Sequence, residues 1–143
     1  MPTTNKFFAV CSYRVIVEED FVNGNHSEPQ ATVRVLIAKN GEFVDNVYTV
    51  DEGNGPVNAL DKALRKALIG HYPEIAKVKL VDYEVHTIKR ACGTGSKVRV
   101  TITSSDGKKK WVTEGISDNV IKASLTAIAD SLEKELSSLY LSV

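Results

Sequence analysis

The sequence predicts an α+β fold built from two pseudo-repeated βββα units with antiparallel strands, paired as a homodimer. Three observations carry this. Residues 31–37 (Ala-Thr-Val-Arg-Val-Leu-Ile) and 97–102 (Lys-Val-Arg-Val-Thr-Ile) are two versions of one alternating strand. Each is followed by a glycine turn, a short strand and a glycine-containing lead into an apolar helix. Each is preceded by a similar strand, Ser12-Tyr13-Arg14-Val15 in one case and Asp82-Tyr83-Glu84-Val85 in the other. Hairpins with helices grouped against them make an α+β domain. Sheets that bury one face still present another face and open edges, and a second copy is an economical cover.

The elements follow in order. Residues 1–6 are polar and expected to be disordered. Residues 7–17 are apolar and β-rich and form the first strand, and residues 18–30, with Asn23-Gly24-Asn25 and Pro29, form a long polar loop. In the second strand, 32–38, Val33, Val35 and Ile37 share one face while Thr32, Arg34 and Leu36 share the other. Asn40-Gly41 marks a hairpin turn into a third strand over 43–50. Pro56 opens the first helix, where its missing N–H costs nothing. Leu60, Ala63, Leu64, Ala67 and Leu68 make its buried stripe, with Asp61, Lys62, Arg65 and Lys66 outside. Gly70 ends or loosens this helix and Pro73 limits its continuation. A short helical turn near 75–80 links to the second unit. Its strands are placed at 79–88, 98–103 and 110–114, with a loop over 91–96. The second helix has Ser117 as N-cap and Ile121, Leu125, Ile128, Leu132 and Leu139 at helical spacing. The expected organisation is one domain over 7–143, with unit 1 at about 7–75 and unit 2 at about 79–141.

Composition narrows the function. The 143 residues hold 18 Lys plus Arg and 18 Asp plus Glu, for a net charge of zero, with 43% hydrophobic and 25% charged residues. That is ordinary for a globular domain. A nucleic-acid partner is not expected, because binding needs a basic face to replace counterions. Lys108-Lys109-Lys110 reads as a solvated hairpin tip. No apolar run approaches the roughly 20 residues that span a bilayer, so no membrane role is expected. No signal-peptide pattern opens the chain, so a cytoplasmic location is expected, with Cys11 and Cys92 as free thiols. Two cysteines and His26, His71 and His86 lack the spacing of a four-ligand zinc site, so neither metal nor cofactor is expected.

Few residues suggest chemistry. Gly53-Asn54-Gly55-Pro56 opens a helix and could offer N–H groups to an anion, but it lacks both the Gly-Lys-Ser/Thr ending of a phosphate loop and the Gly-x-Gly-x-x-Gly of a dinucleotide loop. The plainer explanation is a tight strand-to-helix turn. A thiol hydrolase would need Cys11 or Cys92 activated by His71 or His86, with an orienting third group. A loop cysteine and a strand-edge histidine explain the same residues. Trp111, Tyr13, Tyr48 and Tyr83 lie on strands, suited to burying rings with one polar end.

The motifs together are more specific. Glu52-Gly53-Asn54-Gly55-Pro56-Val57-Asn58-Ala59-Leu60 with the helix after it, then Tyr72-Pro73, then Leu80-Val81-Asp82-Tyr83-Glu84-Val85, and finally Gly115-Ile116-Ser117-Asp118-Asn119-Val120-Ile121-Lys122-Ala123-Ser124 occur in this order. Over about 7–141 the chain resembles the C-terminal regulatory domain of the 2-isopropylmalate synthase and citramalate synthase family, and the first helix is worded more like the citramalate branch. Enzymes of this family condense acetyl-CoA with a 2-oxo acid in a metal-dependent barrel, whose His-x-His is absent here. The resemblance therefore implies no catalytic residue and no activity for this chain alone. It implies a homodimer that binds isoleucine, favoured over leucine, near the dimer interface and mediates feedback inhibition of a catalytic barrel domain of the same enzyme.

The resemblance also places the effector pocket, between the end of the first helix and the fourth strand. Leu68, His71, Ile75, Val81 and Val85 line it, with His71 where an aromatic is expected. Asp45 or Asp82 accepts from the ammonium, and Tyr48 closes the rim. Gly53, Gly55 and Pro56 form the turn beside the effector. Burying a branched aliphatic side chain is worth roughly 1.5–3 kcal/mol. The alternative is a purely structural dimerisation domain whose apolar positions are ordinary core, and a third reading is an enzyme using Cys92 and His86.

Overall fold

The structure is a computed structural model that describes residues 7–88 and 96–141. The expected disordered segment 1–6 and Cys92, in the predicted 91–96 loop, lie outside the described residues. The chain divides into two compact units, Met1–Pro73 and Glu74–Val143.

Unit 1 holds β1 (Phe8–Ile16), β2 (Gln30–Lys39), β3 (Glu42–Glu52) and α1 (Pro56–Ile69). The strands form an antiparallel sheet in the order β1-β2-β3. The alternation in β2 places Ala31, Val33, Val35 and Ile37 on the face that α1 covers, and all four are fully buried. The helix answers with Ala59, Leu60, Ala63, Leu64, Ala67 and Leu68. Outside that stripe, Asp61 accepts from Arg65 at 2.9 Å, one helical turn away. Asn40 (φ 55°) and Gly41 (φ 81°) both take positive φ in the two-residue turn between β2 and β3, as a right-twisted hairpin requires. Gly70 caps α1 in a right-handed conformation (φ −66°), so the chain leaves the helix without the left-handed residue that a glycine at this position suggests. Tyr72 anchors the departing chain, its hydroxyl donating to the Ala38 carbonyl at 2.7 Å.

A 3₁₀ turn, Pro73–Lys77, runs from the last residue of unit 1 into unit 2. Unit 2 continues with β4 (Lys79–Ile88), β5 (Lys97–Ser105), β6 (Lys110–Ser117) and α2 (Val120–Tyr140). Its sheet is antiparallel in the order β4-β5-β6, with α2 against β5 and β6. Val100 and Ile102 of β5 face Leu125, Ile128, Leu132 and Leu136 of the helix, all buried. Two details differ from expectation. The N-cap of α2 is Asn119, whose side chain accepts from the Ile121 and Lys122 N–H groups, while Ser117 still belongs to β6 and its hydroxyl accepts from the Asn119 N–H. Asn119 directly precedes the helix, so its Oδ1 lies within reach of the free donors of the first turn, whereas Ser117 stands two residues earlier in the strand. Leu136 occupies the buried stripe, and Leu139 is exposed.

Register makes the repeat concrete. Strand β1 has an irregularity between Val10 and Ser12, and β4 has one between Leu80 and Asp82. A tyrosine follows each. Tyr13 pairs with Val33, and Tyr83 pairs with Ile102.

Candidate functional site

In unit 1, two of the residues expected to bind an effector, Asp45 and His71, meet where α1 ends. Phe8, Ile37 and Asp45 form one row across the sheet, and Ile37 faces the helix, so Asp45 shares the helix-covered side at the β3 edge. The turn after Gly70, in which the His71 and Tyr72 N–H groups both donate to the Leu68 carbonyl, brings the His71 ring to that edge. His71 Nε2 and Asp45 Oδ2 lie 2.8 Å apart, with both side chains partly open to solvent. The His71 hydrogen bond, together with the Asn46 N–H, holds the Asp45 carboxyl below its ordinary value. The pair is thus a preformed acceptor with a hydrogen-bonding neighbour, able to receive an ammonium group.

Leu68, one turn earlier on α1, is fully buried in the core of unit 1. Tyr48 lies on the other side of the sheet. It pairs with Arg34, whose guanidinium sits 5.7 Å over the ring, and 66% of its surface is exposed. Odd and even positions of β3 face opposite ways, so within unit 1 Asp45 and Tyr48 do not line a common pocket.

The glycine turn separates into two roles. Gly53 is buried, and a Cβ there would lie 2.5 Å from the Ala59 nitrogen, so close packing of β3 on the start of α1 demands glycine. Gly55 is the N-cap in an extended conformation (φ −159°), with nothing within 4 Å of where its Cβ would stand. Pro56 follows as the first helical residue. Asn58 stabilises the turn, its Oδ1 accepting from the Asn54 N–H at 3.1 Å.

In unit 2, Ile75 is fully buried in the 3₁₀ turn, Val81 is exposed at the β4 irregularity, and Val85 is exposed on the helix-facing side. Asp82 pairs with Thr103 on the opposite side, and its carboxylate accepts from the Tyr83 N–H. Tyr83 itself meets Ser124 of α2 at 2.8 Å. Trp111 packs on α2, its Nε1–H donating to Ser131.

Cys92 lies outside the described residues, and among the described residues those considered for thiol chemistry do not converge. Cys11 is exposed on β1, His71 is taken by Asp45, and His86 lies 3.1 Å from Glu84 on its own strand. Among the described residues no group of three or more His, Cys, Asp or Glu is arranged to hold a metal, and no helix is long and apolar enough to cross a membrane.

Two features were not anticipated from sequence. In the 18–30 loop, Asp20 accepts from the Val22 and Asn23 N–H groups and from the Asn23 amide, and Glu19 bridges to His26. The loop encloses an open depression of about 270 Å³ lined by Glu18, Glu19, Asp20, Asn25, His26 and Ser27, while Phe21 is left 91% exposed. The Asp-x-x-Asn-Gly pattern is a local turn signal that could have located the hub. In unit 2, Glu135 is buried beside Lys109 (3.3 Å), and burial pushes its carboxyl above the ordinary value. Its position within the apolar stripe of α2 was the available sign.

Residues 2–136 match the family model described as the LeuA allosteric (dimerisation) domain. The chain belongs to this family. Among relatives of this LeuA-type domain, an (R)-citramalate synthase of Geobacter sulfurreducens is 42% identical over 134 residues, which is 94% of this chain and 24% of that protein. An (R)-citramalate synthase of Streptomyces coelicolor is 47% identical over 126 residues, 88% of this chain and 22% of that protein. A 2-isopropylmalate synthase of Methanocaldococcus jannaschii is 30% identical over 115 residues, 80% of this chain and 20% of that protein. The LeuA-type chain therefore spans about a quarter of the length of the curated relatives it matches. The motif order quoted from the sequence and the family match agree on the regulatory domain of the citramalate and 2-isopropylmalate synthases.

Proposed function

We propose that residues 7–143 form the amino-acid-sensing regulatory domain of a citramalate or 2-isopropylmalate synthase, an acetyl-CoA-dependent acyltransferase of branched-chain amino acid biosynthesis. The observation that carries this reading is the 42–47% identity to (R)-citramalate synthases across about nine tenths of the chain, combined with a family description that is itself allosteric. The effector is a branched amino acid, isoleucine in preference to leucine, because identity to the citramalate synthases exceeds the 30% shared with the 2-isopropylmalate synthase. The domain works as a homodimer in the cytoplasm, and catalysis belongs to the barrel domain of the same enzyme.

The effector contacts proposed in unit 1 are Asp45, which receives the ammonium, and His71 beside it, with Leu68 behind them, Tyr48 as a separate contact on the opposite face, and the turn of Gly53, Gly55 and Pro56. Those proposed in unit 2 are Ile75, Val81, Val85 and Asp82. Effector binding must favour one of two states of the dimer to slow a distant site, with a coupling of typically ~1–3 kcal/mol.

Calorimetric titration with isoleucine, leucine, valine and threonine tests the reading. Saturable heat with one branched amino acid is expected, with a rise in melting temperature at millimolar ligand. A second reading, a structural dimerisation domain without a ligand, is favoured by the complete burial of Leu68 and Ile75 among the chain's own side chains. No heat and no thermal shift with any of the four, in a protein that sediments as a dimer, selects it.

A further inference from the structure

The sequence contains three Asn-Gly pairs, at 23–24, 40–41 and 54–55. Asparagine is among the chemically labile residues, and a following glycine leaves the next peptide nitrogen unshielded. The three sites differ in what holds them.

At the first site, the Asn23 amide donates to Asp20 Oδ2 at 2.9 Å, and the Gly24 N–H donates to the Asp20 carbonyl at 2.8 Å, so both reacting groups are tied. At the second, Asn40 and Gly41 are locked at positive φ between Lys39 and Glu42, which are paired in the sheet. Turning the Asn40–Gly41 peptide would break the hairpin. At the third, among the described residues, no hydrogen bond holds the Asn54 side chain or the Gly55 nitrogen, and the space around the Gly55 Cα is open. The contacts that fix this turn, Asn54 N–H to Asn58 Oδ1 and Ala59 N–H to the Gly55 carbonyl, lie on either side of the 54–55 peptide. That peptide can rotate through ψ of Asn54 and φ of Gly55 alone, and glycine tolerates the full range of φ.

We propose that Asn54 is a site of spontaneous deamidation and isomerisation. The Gly55 nitrogen attacks Cγ of Asn54, a Cγ–N bond forms, and the Cγ–Nδ2 bond breaks. Nδ2 departs as ammonia, carrying the proton lost by the Gly55 nitrogen. Water then opens the cyclic imide at either carbonyl, giving aspartate or isoaspartate, with no change of oxidation state. Either product places a carboxylate one residue before the N-cap of α1, in the turn proposed above to lie beside the effector.

The test is incubation of the purified native chain at mildly alkaline pH, with fragment-ion mapping of each Asn and enzymatic detection of isoaspartate. A parallel sample in urea removes the fold. Conversion at Asn54 ahead of Asn23 and Asn40 in the native chain, with the three converging in urea, is expected. Gly55→Ala, which the extended backbone and open space accommodate, should slow conversion at Asn54 severalfold without altering the far-UV spectrum. Native conversion of Asn23 or Asn40 as fast as Asn54, or an intact Asn54 while the urea sample reacts, overturns the proposal.

Discussion

Thr49 and Thr113 make the same bond in the two halves of the chain. Each hydroxyl donates at 2.7 Å to the backbone carbonyl of the residue fourteen positions on, Ala63 for one and Ala127 for the other. Thr49 pairs with Val33 and Thr113 with Ile102, the central buried residues of β2 and β5, and those pair in turn with Tyr13 and Tyr83. The shared bond therefore fixes where each helix crosses its sheet.

Thr49→Val and Thr113→Val keep the shape of the side chain and remove the donor. Each should lower unfolding free energy by about 0.5–1.5 kcal/mol, the usual net worth of one hydrogen bond. Urea titration of both variants should give similar losses, because the geometry is the same. A large loss for one and none for the other would mean that the bond does not carry equivalent weight in the two units.

The glycines before the helices divide into obligatory and optional. A Cβ on Gly115 would lie 2.9 Å from the Ala123 carbonyl carbon, and one on Gly53 would press on the Ala59 backbone, so neither helix could keep its approach. Gly53→Ala and Gly115→Ala should each cost about 1–3 kcal/mol through overpacking. Gly55→Asp should instead stabilise α1, because it adds a capping oxygen and a negative charge at the helix N-terminus where no side-chain cap exists. If the effector carboxylate approaches this turn, the same variant weakens amino-acid binding and leaves a full-length synthase less inhibited. Thermal melts and titration separate the two effects.

Glu135 gives a pH signature. Burial, with a hydrogen bond to Asp106 adding to it, raises its carboxyl above the ordinary 4.5, while Lys109 opposes the shift. The folded chain then holds a proton that the unfolded chain has released, so stability falls as pH rises from about the ordinary value through the folded one. Glu135→Gln should flatten this decline and make the protein more stable at neutral pH. Lys109→Met should raise the Glu135 carboxyl further. Carbon-detected NMR titration reads both directly, and a Glu135 midpoint at or below that of an exposed glutamate would refute the assignment.

The alternation in β2 and the stripe in α1 were legible because each uses one strict period against one covering element. Less was legible where two local solutions compete. Ser117 and Asn119 are both good caps, and the choice between them depends on how far β6 extends, which its pairing with β5 decides. Leu136 and Leu139 fit a helical stripe equally well, and only the position of β5 and β6 beneath α2 selects Leu136. The irregularities after Val10 and Leu80 carry no glycine or proline, so nothing in the residues marked them. In the candidate site, Asp45 and Tyr48 were close in sequence. Strand geometry then set them on opposite faces, whereas Asp45 and His71, 26 positions apart, came into contact.

The Asp45–His71 contact makes the sharpest prediction about binding. The hydrogen bond from His71 holds the Asp45 carboxyl below its ordinary 3.8. Whatever this carboxylate contributes to the fold is present above that value and is lost as pH falls through the lowered one. If it receives an effector's ammonium, Asp45→Asn removes a charge-assisted hydrogen bond and should weaken binding, with little change in melting temperature. His71→Ala should return the carboxyl toward 3.8 and move the acid loss of amino-acid affinity to higher pH. NMR titration of Asp45, run with calorimetry on the same variants, tests both. A carboxyl that shifts in His71→Ala while affinity stays constant in Asp45→Asn would leave the pair as a clamp between β3 and the end of α1, with the ammonium bound elsewhere.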